Sequence, residues 1–452
     1  MRVDLRRPLP RDARADRGPR LRRLRRSAAS LRAHQAPDRR WRFAPVRVAV
    51  VGGGLAGLSA ALELVDAGQE VIVLEARPTF GGKVQTLPRR EGDPDPPPDN
   101  GQHVALGCFE HYLAFLDRIG SAGSIVRVPL DLPVIDEHGR VATIGYGLGP
   151  LLRYRHLSLR DRLRIAALVT RLPRLAAGRE TFGDFLRRHG QTQAAIDRFW
   201  DVFIRPALNL RTDEADARAA VFTVLTAMRS GRRASDLMLP AAPLGDMHGG
   251  AARRALEEAG AHLRTDARVA DLNEVEADAI VLAVPPDEAS RLLDEDWSFE
   301  PSPIVSVHLL VDRRLLEHDA ALLRSPVQWI FDRGRLTGHE PERGQYLTVI
   351  SSGVPELMEL RGRELLDGIV GEVRKRFGEA EVLWSRVSRE PEATIALRPG
   401  VERPAPGLVR EGVALAGAWT GTGWPATMEG AVRSGRSAVQ SLLSDVTTTV
   451  AA

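Results

Sequence analysis

The chain has a single cysteine, Cys108, among its 452 residues. One thiol cannot form an intrachain disulfide, so the fold must depend on a buried core, and a reducing compartment is compatible with the sequence. Lysine is nearly absent, since Lys83 and Lys375 are the only two. No apolar run predicts a membrane span, because the longest one, residues 46–65, is interrupted by Arg47, Glu63 and a glycine cluster.

The basic charge is concentrated at the N-terminus. Residues 1–47 hold sixteen arginines and four aspartates, a balance of +12 within a total of +4, which leaves −8 for residues 48–452. This distribution argues against a nucleic-acid partner. Residues 1–45 lack an apolar period and are predicted to be disordered, either as a basic arm that touches anionic lipid or nucleic acid or as an over-extended start of the reading frame.

A glycine turn between an apolar strand and a helix is the strongest local motif. Gly52, Gly54 and Gly57 fit the pattern G-x-G-x-x-G, and Glu75 follows the second strand. In a dinucleotide site the first glycine makes the turn, the second admits a pyrophosphate and the third packs the helix on the strand. The N–H groups at the helix start, at Leu55 and Ala56, then bind phosphate, and the acid binds a ribose hydroxyl. The flanking elements make a ligand-free turn the weaker alternative.

The rest of the chain predicts an α/β fold with a discontinuous Rossmann-like FAD-binding domain and a mixed-sheet and helical substrate-binding domain. Apolar periods predict helices at 112–119, 151–229, 251–259, 363–377 and 426–443, and alternation predicts a hairpin at 131–144 and strands at 279–284, 304–311, 327–331 and 346–351. The predicted pieces of the FAD-binding domain are 46–105, 246–287 and 410–445. The predicted pieces of the substrate domain are 106–245 and 288–409.

The closing motif LAGAWTGTGWPATMEGAVRSG, residues 415–435, is a second glycine-rich strand, loop and helix. Its strand ends at Gly417, and its helix places another N-terminus at the expected ligand. A merely terminal helix does not explain so many glycines close together.

The glycine turn continues through Ala76 and Arg77 to Gly81, Gly82 and Lys83, and in this extension it resembles the FAD enzymes of the amine oxidase and phytoene desaturase superfamily. The resemblance implies FAD rather than NAD, with these residues around the pyrophosphate. It also implies cofactor contacts for Val269, Gly417 and the backbone N–H of Met428. The superfamily usually has an acid after the final glycine, whereas Ala418 stands here. Because a charge-assisted hydrogen bond contributes about 1.5–3 kcal/mol, weaker FAD binding is expected.

Five stretches together resemble hydroxysqualene dehydroxylase, a squalene-associated FAD-dependent desaturase family of hopanoid formation: DNGQHVALG from residue 99, FWDVFIRPALN from 199, SPIVSVHLLVD from 302, VQWIFDRG from 327 and GWPATMEGAVRSG from 423. The resemblance covers about residues 46–440. One departure is SREPEATIA at 388–396, where the family tends to carry a basic residue near Pro391 or Glu392.

This resemblance implies reductive dehydroxylation of an allylic isoprenoid alcohol, with hydride from reduced flavin. His103 is the best candidate for the acid that protonates the leaving hydroxyl, because an ordinary histidine pKa is near neutral; a lone histidine is more often structural. The expected partners are a lipophilic isoprenoid and an external electron donor, since only one dinucleotide fingerprint is present. No metal is predicted. The expected location is cytoplasmic, with peripheral contact to the inner face of the membrane.

Three other functions fit the same fold. A phytoene-desaturase-like enzyme would transfer hydride from a polyene to the flavin. An amine oxidase would typically place a lysine near the flavin and a tyrosine where Thr427 stands, and neither is evident. A non-catalytic flavoprotein would explain Ala418 and the basic tail.

Overall fold

A computed structural model describes residues 46–229 and 231–451. The predicted disordered segment, residues 1–45, lies outside the described residues. The strands, in chain order, are β1 (Arg47–Val51), β2 (Glu70–Leu74), β3 (Ala105–Leu106), β4 (Ile125–Val128), β5 (Asp131–Ile135), β6 (Val141–Gly145), β7 (Leu237–Pro240), β8 (His262–Arg264), β9 (Ala279–Leu282), β10 (Pro301–Val311), β11 (Ala320–Leu322), β12 (Trp329–Asp332), β13 (Gln345–Ser352), β14 (Val382–Ile395), β15 (Gly407–Arg410) and β16 (Val413–Leu415).

The α-helices, in the same order, are α1 (Leu55–Asp66), α2 (Glu110–Arg118), α3 (Leu148–Arg153), α4 (Leu159–Arg171), α5 (Phe182–Arg188), α6 (Gln193–Ala195), α7 (Asp201–Leu208), α8 (Ala217–Arg229), α9 (Ala251–Glu258), α10 (Pro286–Leu293), α11 (Arg333–Thr337), α12 (Pro355–Glu359), α13 (Gly362–Phe377) and α14 (Met428–Ala451). Two π-helical turns, Ile196–Trp200 and Asp246–Gly250, precede α7 and α9.

The first sheet is six-stranded, in the order β15-β16-β9-β1-β2-β8, and is parallel except for β15. Its centre is β1, where Val48, Ala49 and Val50 are completely buried because helices and loops cover both faces. Parallel strands buried on both faces require such continuous apolar runs. The sheet unites three separated stretches of chain, and the predicted α/β fold class is confirmed. The predicted domain limits at 105/106 and 409/410 need correction, because each falls inside a strand, β3 and β15 respectively.

The second sheet is seven-stranded and mixed, in the order β14-β10-β13-β12-β11-β5-β6. The predicted hairpin at 131–144 is its edge pair, β5 and β6, with Asp131 opposite Gly145. A third sheet has three strands, in the order β3-β7-β4. In the sequence, β3 and β4 lie between β2 and β5, and β7 lies between β6 and β8.

The stretch predicted to be helical, 151–229, is a succession of helices from the end of α3 to α8. Phe182, Phe185 and Trp200 belong to a core that these helices share with strands of the second sheet. Within it α4 buries Asp161, Ile165 and Leu168 on one face. Of the helices that the structure describes, none combines the length and the apolar character needed to cross a membrane.

A buried ion pair connects the loop that starts at Asp99 to the second sheet. The carboxylate of Asp99 accepts hydrogen bonds from Arg333 Nη1 (2.7 Å), from the Thr86 hydroxyl (2.7 Å) and from the Leu244 N–H (3.0 Å). Arg333 begins α11 directly after β12, and its side chain is 3 % exposed. The loop that starts at Asp99 is therefore held to the second sheet by a fully desolvated contact.

Replacing Asp99 with alanine should lower the free energy of unfolding by about 3–5 kcal/mol, because Arg333 would keep a buried, unpaired charge. Chemical denaturation of the purified protein measures this change. The matched control is Glu402→Ala, which removes a fully solvated partner of Arg179 and should change stability little. Equal effects of the two substitutions would contradict the structural role of the Asp99–Arg333 pair.

Candidate cofactor and substrate site

The glycine turn is packed backbone against backbone. Gly52 has φ +105°, and a Cβ there would lie 2.4 Å from the carbonyl oxygen of Ala283, the residue that follows β9. A Cβ on Gly57 would lie 1.9 Å from the carbonyl oxygen of Gly52. No side chain fits at either position. Gly57 is counted among the cofactor-binding residues for its predicted role of packing the helix on the strand; it does not line the cavity described below, and the structure shows this packing role.

The closing helix meets the glycine turn in the same way. Helix α14 packs on α1, and a Cβ on Gly435 would lie 2.2 Å from the carbonyl oxygen of Ala56. The Ser59 hydroxyl donates to the carbonyl oxygen of Val432 (3.1 Å), and the Ser434 hydroxyl accepts from the Gly417 N–H (2.9 Å). The fingerprint near residue 52 and the motif near residue 430 therefore form one assembly.

One cavity of about 1000 Å³ extends from the glycine turn into the helical region. It brings together the other residues that the sequence predicted for the site, including the catalytic candidate: Gly52, Gly54, Leu55, Ala56, Glu75, Ala76, Arg77, Gly81, Gly82, Lys83, His103, Val269, Gly417, Ala418 and Met428. They come from all three predicted pieces of the FAD-binding domain.

The glycine-turn end of the cavity is shaped to hold an anion and a sugar. Helix α1 begins after Gly54 with neither a side-chain cap nor an acid in its first turn, so its N-terminal N–H groups remain available. The buried carboxylate of Glu75 accepts from the N–H groups of Gly53 (2.7 Å) and Arg77 (2.8 Å), which fixes its orientation. Its remaining lone pairs can accept from hydroxyl groups.

Lys83 connects the GGK segment to β14. Its Nζ donates to the carbonyl oxygen of Glu392, and burial lowers its pKa, against the opposing charges of Glu392 and Glu390. The family that the sequence resembles tends to carry a basic residue near Pro391 or Glu392. Here Lys83 supplies a cation at that place, beside a strand segment that contributes two carboxylates to the cavity wall. Lys375, by contrast, lies on α13 and pairs with Glu372 (3.5 Å).

Hydrogen bonds hold the loop 99–103 beside the cavity. Asn100 donates from Nδ2 to the carbonyl oxygen of Lys83 (2.8 Å), so its Oδ1 is the acceptor for His103 Nε2 (3.3 Å). Burial lowers the pKa of His103 to about 4, and the neighbouring His248 contributes to the shift. His103 is therefore neutral at pH 7, and the near-neutral pKa expected from the sequence is corrected. Its role as an acid stays a prediction.

The far end of the cavity is apolar. Between Leu130 and Met228 the wall contains no charged side chain, whereas the glycine-turn end contains several, including Arg268 and Glu288. The chain has only 12 Phe, seven Trp and four Tyr. Twelve of these 23 aromatic residues line this one cavity: Phe109, Tyr146, Tyr154, Phe199, Trp200, Phe203, Phe222, Phe299, Trp329, Phe331, Trp419 and Trp424.

Gln102 is a wall residue that sequence reasoning missed. Its Nε2 is buried and has no hydrogen-bond partner among the described residues, and its side chain lines the cavity. A buried unpaired N–H is costly, so we expect a ligand or a water molecule in the cavity to accept from it. The motif DNGQH contains Gln102, but nothing in the sequence distinguishes it from its neighbours.

Comparison with known proteins identifies the cofactor. The profile of the family described as flavin containing amine oxidoreductase matches residues 55–443. The chain belongs to this family. It is an FAD-dependent oxidoreductase. The anion-binding helix start, the oriented Glu75 and the cavity volume fit FAD, and the predicted cofactor is confirmed.

The family relatives of known activity include enzymes of carotenoid metabolism. The chain is 25% identical over 467 residues to 15-cis-phytoene desaturase of Capsicum annuum, covering 89% of this chain and 78% of the relative. It is 24% identical over 487 residues to the zeta-carotene desaturase of Zea mays, covering 88% of this chain and 83% of the relative.

Solved structures of similar fold include an oxidoreductase from Methanosarcina mazei, with TM-score 0.67 and 17% identity over 88% of this chain and all of that one. Cyclohexylamine oxidase from Brevibacterium oxydans has TM-score 0.66 and 16% identity, covering 89% of this chain and 100% of the other. At these identities the likeness shows the fold alone.

Restoring an acid after Gly417 should strengthen FAD binding. Ala418 lines the cavity, and a charge-assisted hydrogen bond contributes about 1.5–3 kcal/mol, so Ala418→Glu should lower the FAD dissociation constant about tenfold or more. Flavin fluorescence titration of the apoprotein measures it. Ala418→Gln, of the same size without the charge, is the control. An unchanged or higher dissociation constant for the glutamate variant would show that the site does not use an acid here.

A neutral His103 makes a specific prediction about pH. Because its pKa is about 4, the ratio of turnover between the protein and its His103→Gln variant should be constant from pH 6 to pH 8. The ratio should change only as the pH falls toward 4, where the imidazole gains its proton. Steady-state turnover across this range tests it, and a change in the ratio centred near pH 6.5 would show an unperturbed histidine.

Proposed function

We propose that this oxidoreductase acts on a long isoprenoid, and that its reaction is the reductive removal of an allylic hydroxyl, as in the conversion of hydroxysqualene to squalene. The observation that carries the substrate class is the uncharged, aromatic-rich half of the cavity, which continues directly from the cofactor end. Apolar walls of this kind bind hydrocarbon chains through the area that they remove from water.

The cofactor assignments follow from the cavity wall. The N-terminal turn of α1, with Gly54, Leu55 and Ala56, would hold the pyrophosphate, and Glu75 would accept from a ribose hydroxyl. Ala76, Arg77, Gly81, Gly82 and Lys83 would close over the same region. Met428, the first residue of α14, would direct its N–H and the positive end of the helix to the ring, with Gly417, Ala418 and Val269 alongside.

FAD, when bound, supplies the two-electron redox chemistry. In a dehydroxylation, the allylic alcohol takes up a hydride and a proton, its C–O bond breaks, and water leaves. The chain must orient the hydroxyl and exclude solvent. Gln102 meets the first requirement, since its unpaired N–H can donate to the hydroxyl oxygen. The electrons would come from an external donor.

Desaturation of a polyene is the second candidate, and two observations favour it. The curated relatives that match most of the chain include phytoene and zeta-carotene desaturases. In addition, the hydrogen bond to Asn100 assigns the His103 proton to Nε2, which leaves Nδ1 of a neutral ring as a proton acceptor. Desaturation removes a proton as well as a hydride from the substrate, and a neutral imidazole can accept that proton.

An amine oxidase lacks comparable support, because the only lysine that lines the cavity, Lys83, bonds to the carbonyl oxygen of Glu392.

Anaerobic incubation of the flavin-loaded protein with chemically reduced FAD and hydroxysqualene should yield squalene, detected by mass spectrometry. Gln102→Leu should lower this turnover about three- to tenfold by removing one hydrogen bond, and flavin content should stay unchanged. Thr226→Val, at another uncharged position of the wall, is the control with a similar loss of polarity. Flavin-loaded protein that forms no squalene but desaturates phytoene would establish the second candidate instead.

A further inference from the structure

Four leucines on neighbouring helices are exposed to solvent, and together they define what we call the leucine surface. Leu148 and Leu152 lie on α3, with 54 % and 42 % of their surface exposed, and Leu159 and Leu163 lie on α4, with 58 % and 54 % exposed. Helices α3 and α4 pack against each other. Single exposed leucines are ordinary, but a cluster of four on adjacent helices marks an interaction surface.

On α4, the two leucines of the leucine surface lie on the outer face of the helix and not on the face that packs against the core. The buried residues of α4, Asp161, Ile165 and Leu168, share one side of the helix. At 100° per residue, Leu159 and Leu163 lie on the opposite side. The helix therefore has two apolar faces, of which one is covered by its own domain and the other is uncovered.

Positive charge surrounds the leucine surface. Residues 148–175 contain seven arginines and one acid: Arg153, Arg155, Arg160, Arg162, Arg164, Arg171, Arg174 and Asp161. Asp161 is buried and accepts from the Ser158 and Thr192 hydroxyls. None of the seven arginines forms an ion pair within the described part of the chain, whereas the arginines of many other surface helices do. Arg162 donates to the carbonyl oxygens of Leu152 and Ser158, which leaves its charge without an acidic partner. Exposed leucines between arginines whose charges no acid compensates match a bilayer that has anionic headgroups.

The same surface borders the apolar half of the cavity. Leu148 lines the cavity while more than half of it is exposed, and Tyr146, Gly147 and Leu151 around it line the cavity too. From α4, Val169 and Thr170 also contribute to the wall. The cavity therefore opens beside the leucine surface. A hydrocarbon chain in this opening would extend from the apolar half of the cavity to the partner that covers the leucines.

We propose that the leucine surface docks the protein on an anionic lipid bilayer and opens the cavity to the lipid phase. The leucines enter the apolar layer, and the arginines contact headgroup phosphates. The docking itself rests on exposure and charge; only the purpose of the opening, uptake of an apolar substrate from the bilayer, rests on the proposed function. The protein needs no spanning helix for this contact.

A fluorescent probe at Leu163 tests the proposal in the full-length chain. The single native thiol should react with the dye far more slowly than an exposed one, since Cys108 is buried and burial raises its pKa to about 11. Leu163→Cys and the control Leu383→Cys, at a leucine 46 % exposed on β14, are each labelled with an environment-sensitive dye. On vesicles of phosphatidylcholine and phosphatidylglycerol, the probe at 163 should brighten and be quenched by lipids spin-labelled in their acyl chains. The probe at 383 should show neither effect.

This design separates the leucine surface from the basic N-terminus, which can itself attract anionic vesicles through charge. Protein that sediments with vesicles while the probe at 163 stays in water would overturn the proposal, and so would protein that does not bind vesicles. Replacing Leu148, Leu152, Leu159 and Leu163 with serine should weaken vesicle binding about tenfold or more, whereas Leu383→Ser with Leu408→Ser should not. Squalene formation in detergent is measured separately, so a failure of docking and a failure of the proposed reaction are distinguishable.

Discussion

The close approach of backbone to backbone at the glycine turn is the constraint on which the rest of this structure depends. Gly52 meets the carbonyl of Ala283, Gly57 meets the carbonyl of Gly52, and Gly435 meets the carbonyl of Ala56. These contacts join three stretches of chain that are hundreds of residues apart. A methyl group at Gly52 would force the turn away from the residue that follows β9, and one at Gly435 would force α14 away from α1. The glycines therefore assemble the site as well as admitting the ligand.

The site combines two environments in one space. At the glycine turn, helix N-termini, Glu75 and Lys83 offer fixed charge and hydrogen bonds, while the stretch from Leu130 to Met228 offers only uncharged side chains. The loop 99–103 lies between them, held by the buried pair of Asp99 and Arg333. This division suits chemistry in which a polar cofactor faces a hydrocarbon, because each partner is desolvated by the surface that matches it.

Sequence patterns identified the cofactor end because the dinucleotide turn is local: strand, glycines, helix and acid lie within 30 residues, and each has its own signal. The same patterns assigned Gly57 to the packing of helix on strand, because the third glycine of the motif meets backbone. They could not foresee the low pKa of His103, which arises from burial and from His248, more than 100 residues away in the chain. Gln102 escaped notice because the lining of a cavity depends on tertiary packing, which leaves no period in the sequence.

The central claim is that cofactor and isoprenoid occupy one continuous cavity, and the visible absorption spectrum of the purified protein tests it most directly. The account predicts a yellow protein, or one that takes up added FAD, whose flavin bands shift when squalene is added in detergent. A shift requires the hydrocarbon to reach the surroundings of the ring, as the shared cavity allows. A protein that stays colourless and takes up no FAD would contradict the account, and flavin bands that do not respond to squalene would separate the cofactor from the proposed substrate.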